Sequence, residues 1–303
     1  MTFLLILGGL MPSFLLVGLG GLLRRRLSEN AWQGLDRLNF EILFPALLFV
    51  AASARQIELR TVVSIAPAIW AVLVLGLVAG YAARRVGPVR FLDFAGGWQT
   101  AWRFNSAIGF VAIAALPGAD AALMAVAVGM AVPVANLFAV SALSRGGALG
   151  LGATVRRVAL NPFLLASLGG VALGLSGWHL PGPILAPLQM LAAAALPIAL
   201  ISIGATMNWG ALARADAFGA ALCGVKLILL PAAVALMALI TGAQGMQVAV
   251  VLVFAALPTA SAAHVLAAGF GADRALVATL IAQSTLLSAI SLPLWITVAA
   301  LFL

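Results

Sequence analysis

Arg103 and Asn105 stand in the middle of an apolar run, GWQTAWRFNSAIGFVAIAALPG, that closes at Gly118, with Gln99, Thr100 and Ser106 beside them. A guanidinium at the centre of a bilayer costs about 2.5–3.5 kcal/mol on insertion scales, whereas each Leu or Phe returns about 0.3–0.6 kcal/mol. A sequence that keeps an Arg there uses it. The planar fork of donors on Arg103 matches a carboxylate, and an amide at Asn105 is too short to reach water from mid-span, so it must bond inside the protein. A second polar interruption, Pro258, Thr259, Ser261 and His264, sits within MQVAVVLVFAALPTASAAHVLAAGFG. Proline removes a backbone donor, and in lipid the freed carbonyls are tolerated only where protein or a water-filled cavity satisfies them. Half-helices that start at such breaks present unsatisfied N–H groups and the positive end of a dipole to an anion.

Arg103 has three readings: substrate contact, a lock on a helix C-terminal carbonyl, or snorkelling to the inner surface. Lys226, the sole Lys, is near mid-span and either faces the cavity as a second cation or carries a depressed pKa and bonds neighbouring carbonyls. His264 is either a proton-coupling group or a packed, satisfied histidine. Glu41 reads as the i, i+4 partner of Arg37, Asp36, Asp93, Asp120, Asp216 and Asp273 mostly as helix-starting acids, Cys223 as a small core residue, and His179, in an outer loop, as a solvated or interface residue. Nucleophile and base do not converge, and no zinc-ligand spacing occurs, so an enzyme is not expected and no cofactor is implied.

The chain that must position these residues has 303 residues, 64% hydrophobic and 8% charged, with mean hydropathy +1.19. Soluble proteins carry about 25% charged residues. This composition defines an all-α polytopic membrane protein. Ten stretches approach the ~20 residues a span requires: 3–23, 34–53, 61–83, 92–116, 120–143, 156–176, 183–207, 215–241, 246–268 and 274–301. The net charge of +8 lies mainly in short loops and marks topology, not a nucleic-acid partner. With the N-terminus outside, twelve Arg (24, 25, 26, 37, 84, 85, 90, 145, 156, 157, 214 and 274) fall inside against Arg55 and Arg60 outside. Both termini are then non-cytoplasmic in a multi-pass protein of the cell membrane. Arg24–Arg26 follow the first apolar run instead of preceding it, unlike a cleaved signal.

Prolines expose a repeat. Pro12, Pro45, Pro67 and Pro133 lie in contexts similar to those of Pro162, Pro197, Pro231 and Pro293, at offsets of 150, 152, 164 and 160 residues. Five spans per copy is odd, so the copies enter the membrane in opposite directions, the inverted-repeat plan of secondary transporters. The expected units are residues 1–145 and 156–303, joined by a basic inner linker at 146–155. Spans 4 and 9 are then the two crossing, broken helices, with a site from Arg103, Asn105, Ser106, Gly109, Pro258, Thr259, Ser261, His264 and Lys226.

WRFNSAIGF resembles the Arg-Asn-Thr-Gly-Phe-type signature of the auxin efflux carrier family. LPTASAAHVLAAGFGADRALVATLIAQSTLLSAISLPLW is similar to the last two helices of its bacterial members, with Ser284 to Ser288 and Leu292 to Trp295 the most specific part. LDRLNFEILFPALLF and ALPIALISIGATM resemble the family's second and seventh helices. The resemblance, which covers essentially the whole chain, implies kinship with PIN carriers and, more distantly, bile-acid transporters. It implies a scaffold from spans 1, 2, 6 and 7, and a transport domain from spans 3–5 and 8–10 that moves as an elevator. It also implies a homodimer and organic-anion substrates, auxin-type monocarboxylates or malonate- and malate-type acids. Three positions depart from the family pattern. Val111 replaces a Pro, so the first break must fall on Asn105 and Gly109. Ala262 and His264 replace an Asn and a Tyr. The function expected is a secondary transporter of small organic anions, mono- or dicarboxylates, with H+, Na+ or uniport left open; the alternatives are a transporter-like substrate sensor or an anion channel.

Overall fold

The computed structural model describes residues 2–53, 59–118, 121–144, 156, 159–160, 162–214, 216–260 and 263–303. Among these no strand occurs. The helices are α1 (Thr2–Leu23), α2 (Glu29–Leu38, a π turn at Asn39–Leu43, then Phe44–Ser53), α3 (Leu59–Tyr81), α4 (Phe91–Trp98), α5 (Ser106–Ala114) and α6 (Ala121–Ser144). They continue as α7 (Pro162–Ser176), α8 (Gly182–Thr206), α9 (Ala217–Gly224, a π turn at Val225–Leu229, then Leu230–Thr241), α10 (Met246–Ala256), α11 (Ala263–Gly269) and α12 (Arg274–Ala299). Five helical stretches are long and apolar enough to cross a membrane: Val63–Arg85, Ala121–Ser144, Gly182–Thr206, Ala217–Thr241 and Arg274–Phe302. The expected linker at 146–155, Arg55, Asp120 and Arg145 lie outside the described residues.

Nearly every helix is apolar all round, so burial is decided by neighbours and not by an amphipathic stripe. α10 is the innermost rod, with Ala249, Val250 and Leu252–Ala256 fully enclosed by α3, α6, α9 and α12. Ile228, Leu236, Met237, Leu239 and Ile240 of α9 and Leu15, Leu19 and Leu22 of α1 face outward. An apolar exterior on this scale needs lipid, not water, as its solvent.

α1 lies along α8, and α2 along α7. Small residues make the first contact: a Cβ on Gly20 would stand 2.0 Å from the Ile201 carbonyl oxygen, and one on Gly204 1.8 Å from that of Val17. Without Cβ atoms the two backbones touch, which is how helices gain packing energy where lipid removes the hydrophobic drive. The second contact repeats the device at Gly170, whose Cβ would meet the Phe49 carbonyl oxygen at 2.7 Å.

Both π turns end two residues before a proline, Pro45 in one case and Pro231 in the other. The missing proline N–H would have bonded the carbonyl four residues back. For Pro231 that carbonyl is Leu227, and Trp295 Nε1 donates to it at 2.8 Å. The freed group is thus satisfied by α12, as a lipid environment demands. Arg37 pairs with Glu41 at 2.8 Å, as the spacing indicates, and Asp216 and Asp273 cap α9 and α12. Asp36 departs from that pattern. Ser28 caps α2, so the helix starts before Asp36, whose carboxylate instead accepts the Ser202 hydroxyl of α8.

Candidate functional site

The polar run of the fourth apolar stretch interrupts its helix. α4 tightens into a 3-10 turn over Gln99–Ala101, the chain is irregular through Trp102–Asn105, and α5 begins at Ser106. Asn105 has extended backbone (φ −92°, ψ 103°) and its Oδ1 accepts the Ile108 N–H at 3.3 Å, a side-chain N-cap of the usual kind. Gly109, expected at the break, lies inside α5 instead. Its role is clearance, because a Cβ there would meet Leu257 Cδ1 at 3.0 Å. Asn supplies both the extended φ/ψ and the cap, which leaves glycine nothing to do at the break.

The second interruption begins where α10 stops at Ala256. Leu257 is extended (φ −63°, ψ 141°), Pro258 follows, and α11 starts at Ala263. Ser261 and Ala262 lie outside the described residues. The two breaks cross and complete each other's backbone bonding. In unbroken helices Asn105 N–H would donate to Ala101, and Phe104 N–H would fill the Thr100 carbonyl. Here Asn105 N–H donates to the Pro258 carbonyl at 2.8 Å, and Thr259 Oγ1 donates to the Thr100 carbonyl at 2.7 Å. Thr259 N–H donates to Ser284 Oγ at 3.2 Å. Gln99 Nε2 donates to the Ala263 carbonyl at 3.2 Å, tying the first break to the start of α11. The rings of Phe104 and Phe254 pack at 4.6 Å beside the crossing.

One donor is left over. Asn105 is 5% exposed, and its Nδ2 has no hydrogen-bond partner among the described residues. A buried unpaired amide costs about 1–3 kcal/mol and is uncommon in native folds. The first-turn N–H groups of Ser106 and Ala107 have no acceptor within α5 either, as at any helix start. Among the described residues of the two breaks, Arg103, Ser106, Ala260 and His264 are partly accessible. Arg103 Nη1 donates to Gln99 Oε1 at 3.4 Å, a long contact with a neutral acceptor. Lys226 is 1% exposed, and its Nζ is 3.5 Å from the Ala255 carbonyl at the end of α10. It takes the carbonyl-bonding alternative and not the open-cavity one. His264, in the first turn of α11, is half-buried within electrostatic reach of Asp36. Cys223 is buried and His179 exposed.

Gln99, Thr100 and Ser284 were not among the expected site residues, yet they bind the crossover together. The first two belong to the polar cluster around Arg103, and Ser284 opens the Ser-Thr-Leu-Leu-Ser motif. The isosteric change Thr259→Val strands the Thr100 carbonyl in an apolar interior. It is expected to lower stability by about 1–3 kcal/mol, read as a lower unfolding midpoint of the protein in detergent. Among the described residues no group of three His, Cys, Asp or Glu is placed to hold a metal.

A helical bundle with lipid-type exterior, two helices broken where they cross, and a buried donor facing no partner defines a membrane protein of the transporter class. Comparison with known proteins extends this. Residues 149–296 match the family described as "Membrane transport protein". A protein of Rhizobium meliloti named "Putative malonate transporter" is 30% identical over 314 aligned positions, covering 93% of this chain and 92% of that protein. An "Uncharacterized transporter" of Methanothermobacter thermautotrophicus is 35% identical over 142 residues, 46% of each chain, so that match spans less than half of the relative's length. The chain belongs to the auxin efflux carrier family of membrane transport proteins.

Proposed function

We propose that this protein is a secondary carrier of small organic anions, mono- or dicarboxylates of the malonate kind, and not an enzyme. The observation that carries the reading is the unpaired Asn105 amide at a crossover of two broken helices. A carboxylate oxygen accepts from Asn105 Nδ2 and from the first-turn N–H groups of α5, while Arg103, held by only a long bond to Gln99, swings onto the second oxygen. The family and the name of the Rhizobium relative support the substrate class.

The architecture of this proposal is ten spans in two inverted five-helix repeats. The exchange of α1 with α7 and of α2 with α8 turns the α1–α8 contact into the α2–α7 contact, as an inverted repeat requires. Helices α1, α2, α7 and α8 form the scaffold, and the remainder moves as an elevator that carries the crossover from one face to the other. The membrane is the cell membrane, with both termini on its non-cytoplasmic side, and the carrier works as a homodimer.

Uptake of radiolabelled malonate, malate and indole-acetate into proteoliposomes tests the reading. The parent is expected to show saturable uptake of at least one, and Arg103→Ala to lower it at least about tenfold, the worth of one charge-assisted bond. A parent that takes up none of them but passes ionic current is a channel. One that binds malonate without counterflow is a sensor. Either result overturns the proposal.

A further inference from the structure

Lys226 is the single Lys of the chain, enclosed in the bundle at the π turn of α9. The turn packs against α10, α12, α3 and the 3-10 turn Gln99–Ala101, so it touches both halves of the crossover. Neither ion pair found among the described residues involves it. Its Nζ lies 3.5 Å from the carbonyl oxygen of Ala255, the penultimate residue of α10, a contact as long as that of Arg103 to Gln99. In an unbroken helix that carbonyl would accept from Thr259 N–H, four residues on. In this structure Thr259 N–H is bonded to Ser284 Oγ. The Lys side chain has taken the place of a backbone donor.

Position 226 lies in the π turn that ends two residues before Pro231, and its side chain is buried. The last carbonyls of a helix lack intrahelical donors and form the negative end of its dipole, where Lys is a favoured partner. α10 ends not at the membrane surface, where water would solvate those carbonyls, but inside the protein. A neutral donor would satisfy one oxygen; a cation also offsets the dipole of α10 in a low-dielectric interior.

We propose that Lys226 is a positioning residue for the crossover. By capping the Ala255 carbonyl with a charged donor, it fixes the end of α10 and thereby holds the Pro258 carbonyl where Asn105 N–H reaches it. It does not touch substrate. Its removal leaves the Ala255 carbonyl without a donor in a dry interior, so the end of α10 relaxes and the Pro258 carbonyl is no longer held against Asn105 N–H. The anion site then loses the backbone anchor at the head of α5.

The test compares Lys226→Met, Lys226→Gln and Lys226→Arg with the parent by hydrogen-exchange mass spectrometry in detergent and by malonate uptake in proteoliposomes. In Lys226→Met the peptide containing Asn105 is expected to exchange about tenfold faster, the factor of one lost charge-assisted bond, while peptides of α1 and α8 keep parent rates. The malonate KM is expected to rise about tenfold with maximal rate little changed, and Lys226→Arg to restore both. The uptake arm rests on the carrier reading; the exchange arm does not, so failure of one is distinguishable from failure of the other. Parent-like exchange at Asn105 in Lys226→Met overturns the proposal. If that variant does not fold, parent-like exchange in Lys226→Gln overturns the need for charge, and faster exchange in Lys226→Gln with rescue in Lys226→Arg supports it. Uptake that loses its pH dependence in Lys226→Met with exchange unaltered makes Lys226 a proton carrier and equally overturns the positioning role.

Discussion

Asn105→Asp is expected to fold as well as the parent and to lose malonate uptake by at least about hundredfold. The substitution is nearly isosteric and keeps an acceptor oxygen for the Ile108 N–H, and Asp ranks with Asn as an N-cap. The backbone bond from residue 105 to the Pro258 carbonyl is also retained. What disappears is the Nδ2 donor that has no partner among the described residues. In its place stands an anionic oxygen. Two like charges about 4 Å apart repel by about 4 kcal/mol at an effective dielectric near 20, more than the hundredfold claimed. The measurement pairs initial uptake rates in proteoliposomes with the unfolding midpoint in detergent. Uptake within threefold of the parent removes Asn105 from the site. A collapse of stability instead assigns it to the fold alone.

Gly20→Ala is expected to destabilise the protein by at least about 3 kcal/mol, the upper end of ordinary overpacking, while Gly18→Ala, two residues earlier on the same helix, has a neutral or slightly favourable effect. The added methyl at position 20 lands 2.0 Å from the Ile201 carbonyl oxygen and 2.9 Å from the Ala205 nitrogen. Both are backbone atoms, so no rotamer change relieves the clash and α1 must move off α8. At position 18 nothing lies within 4 Å, and Ala exceeds Gly in helix propensity by about 1 kcal/mol. Denaturant unfolding of the two variants in the same detergent decides this. Equal midpoints contradict the close α1–α8 approach. Under the proposed division into scaffold and moving part, the folded fraction of Gly20→Ala keeps the parent malonate KM, because neither α1 nor α8 contributes to the crossover.

Composition alone determined that this chain lives in lipid, since 64% hydrophobic residues cannot be hidden in a soluble core. The two interruptions were legible for the same reason: Arg103 with Asn105, and Pro258 with Thr259, are costly in hydrocarbon and stand out against it. The i, i+4 pair of Arg37 and Glu41 and the caps at Asp216 and Asp273 are local and followed from spacing. The position of the first break within its stretch did not, because Asn and Gly both favour breaks and only the surrounding packing chose Asn105 over Gly109.

The tertiary structure decided which polar groups are used up and which remain. Thr259 and Gln99 bond across some 160 residues of sequence, to Thr100 and Ala263 respectively, and Lys226 to the end of another helix. Each of these side chains is equally free in sequence terms to serve a substrate. Only when α4, α9, α10 and α12 are brought together does their bonding capacity close on the backbone, leaving the Asn105 amide over. Hydrogen bonds of this kind depend on donor and acceptor positions to within about half an ångström, and the folded packing of distant helices alone sets those positions.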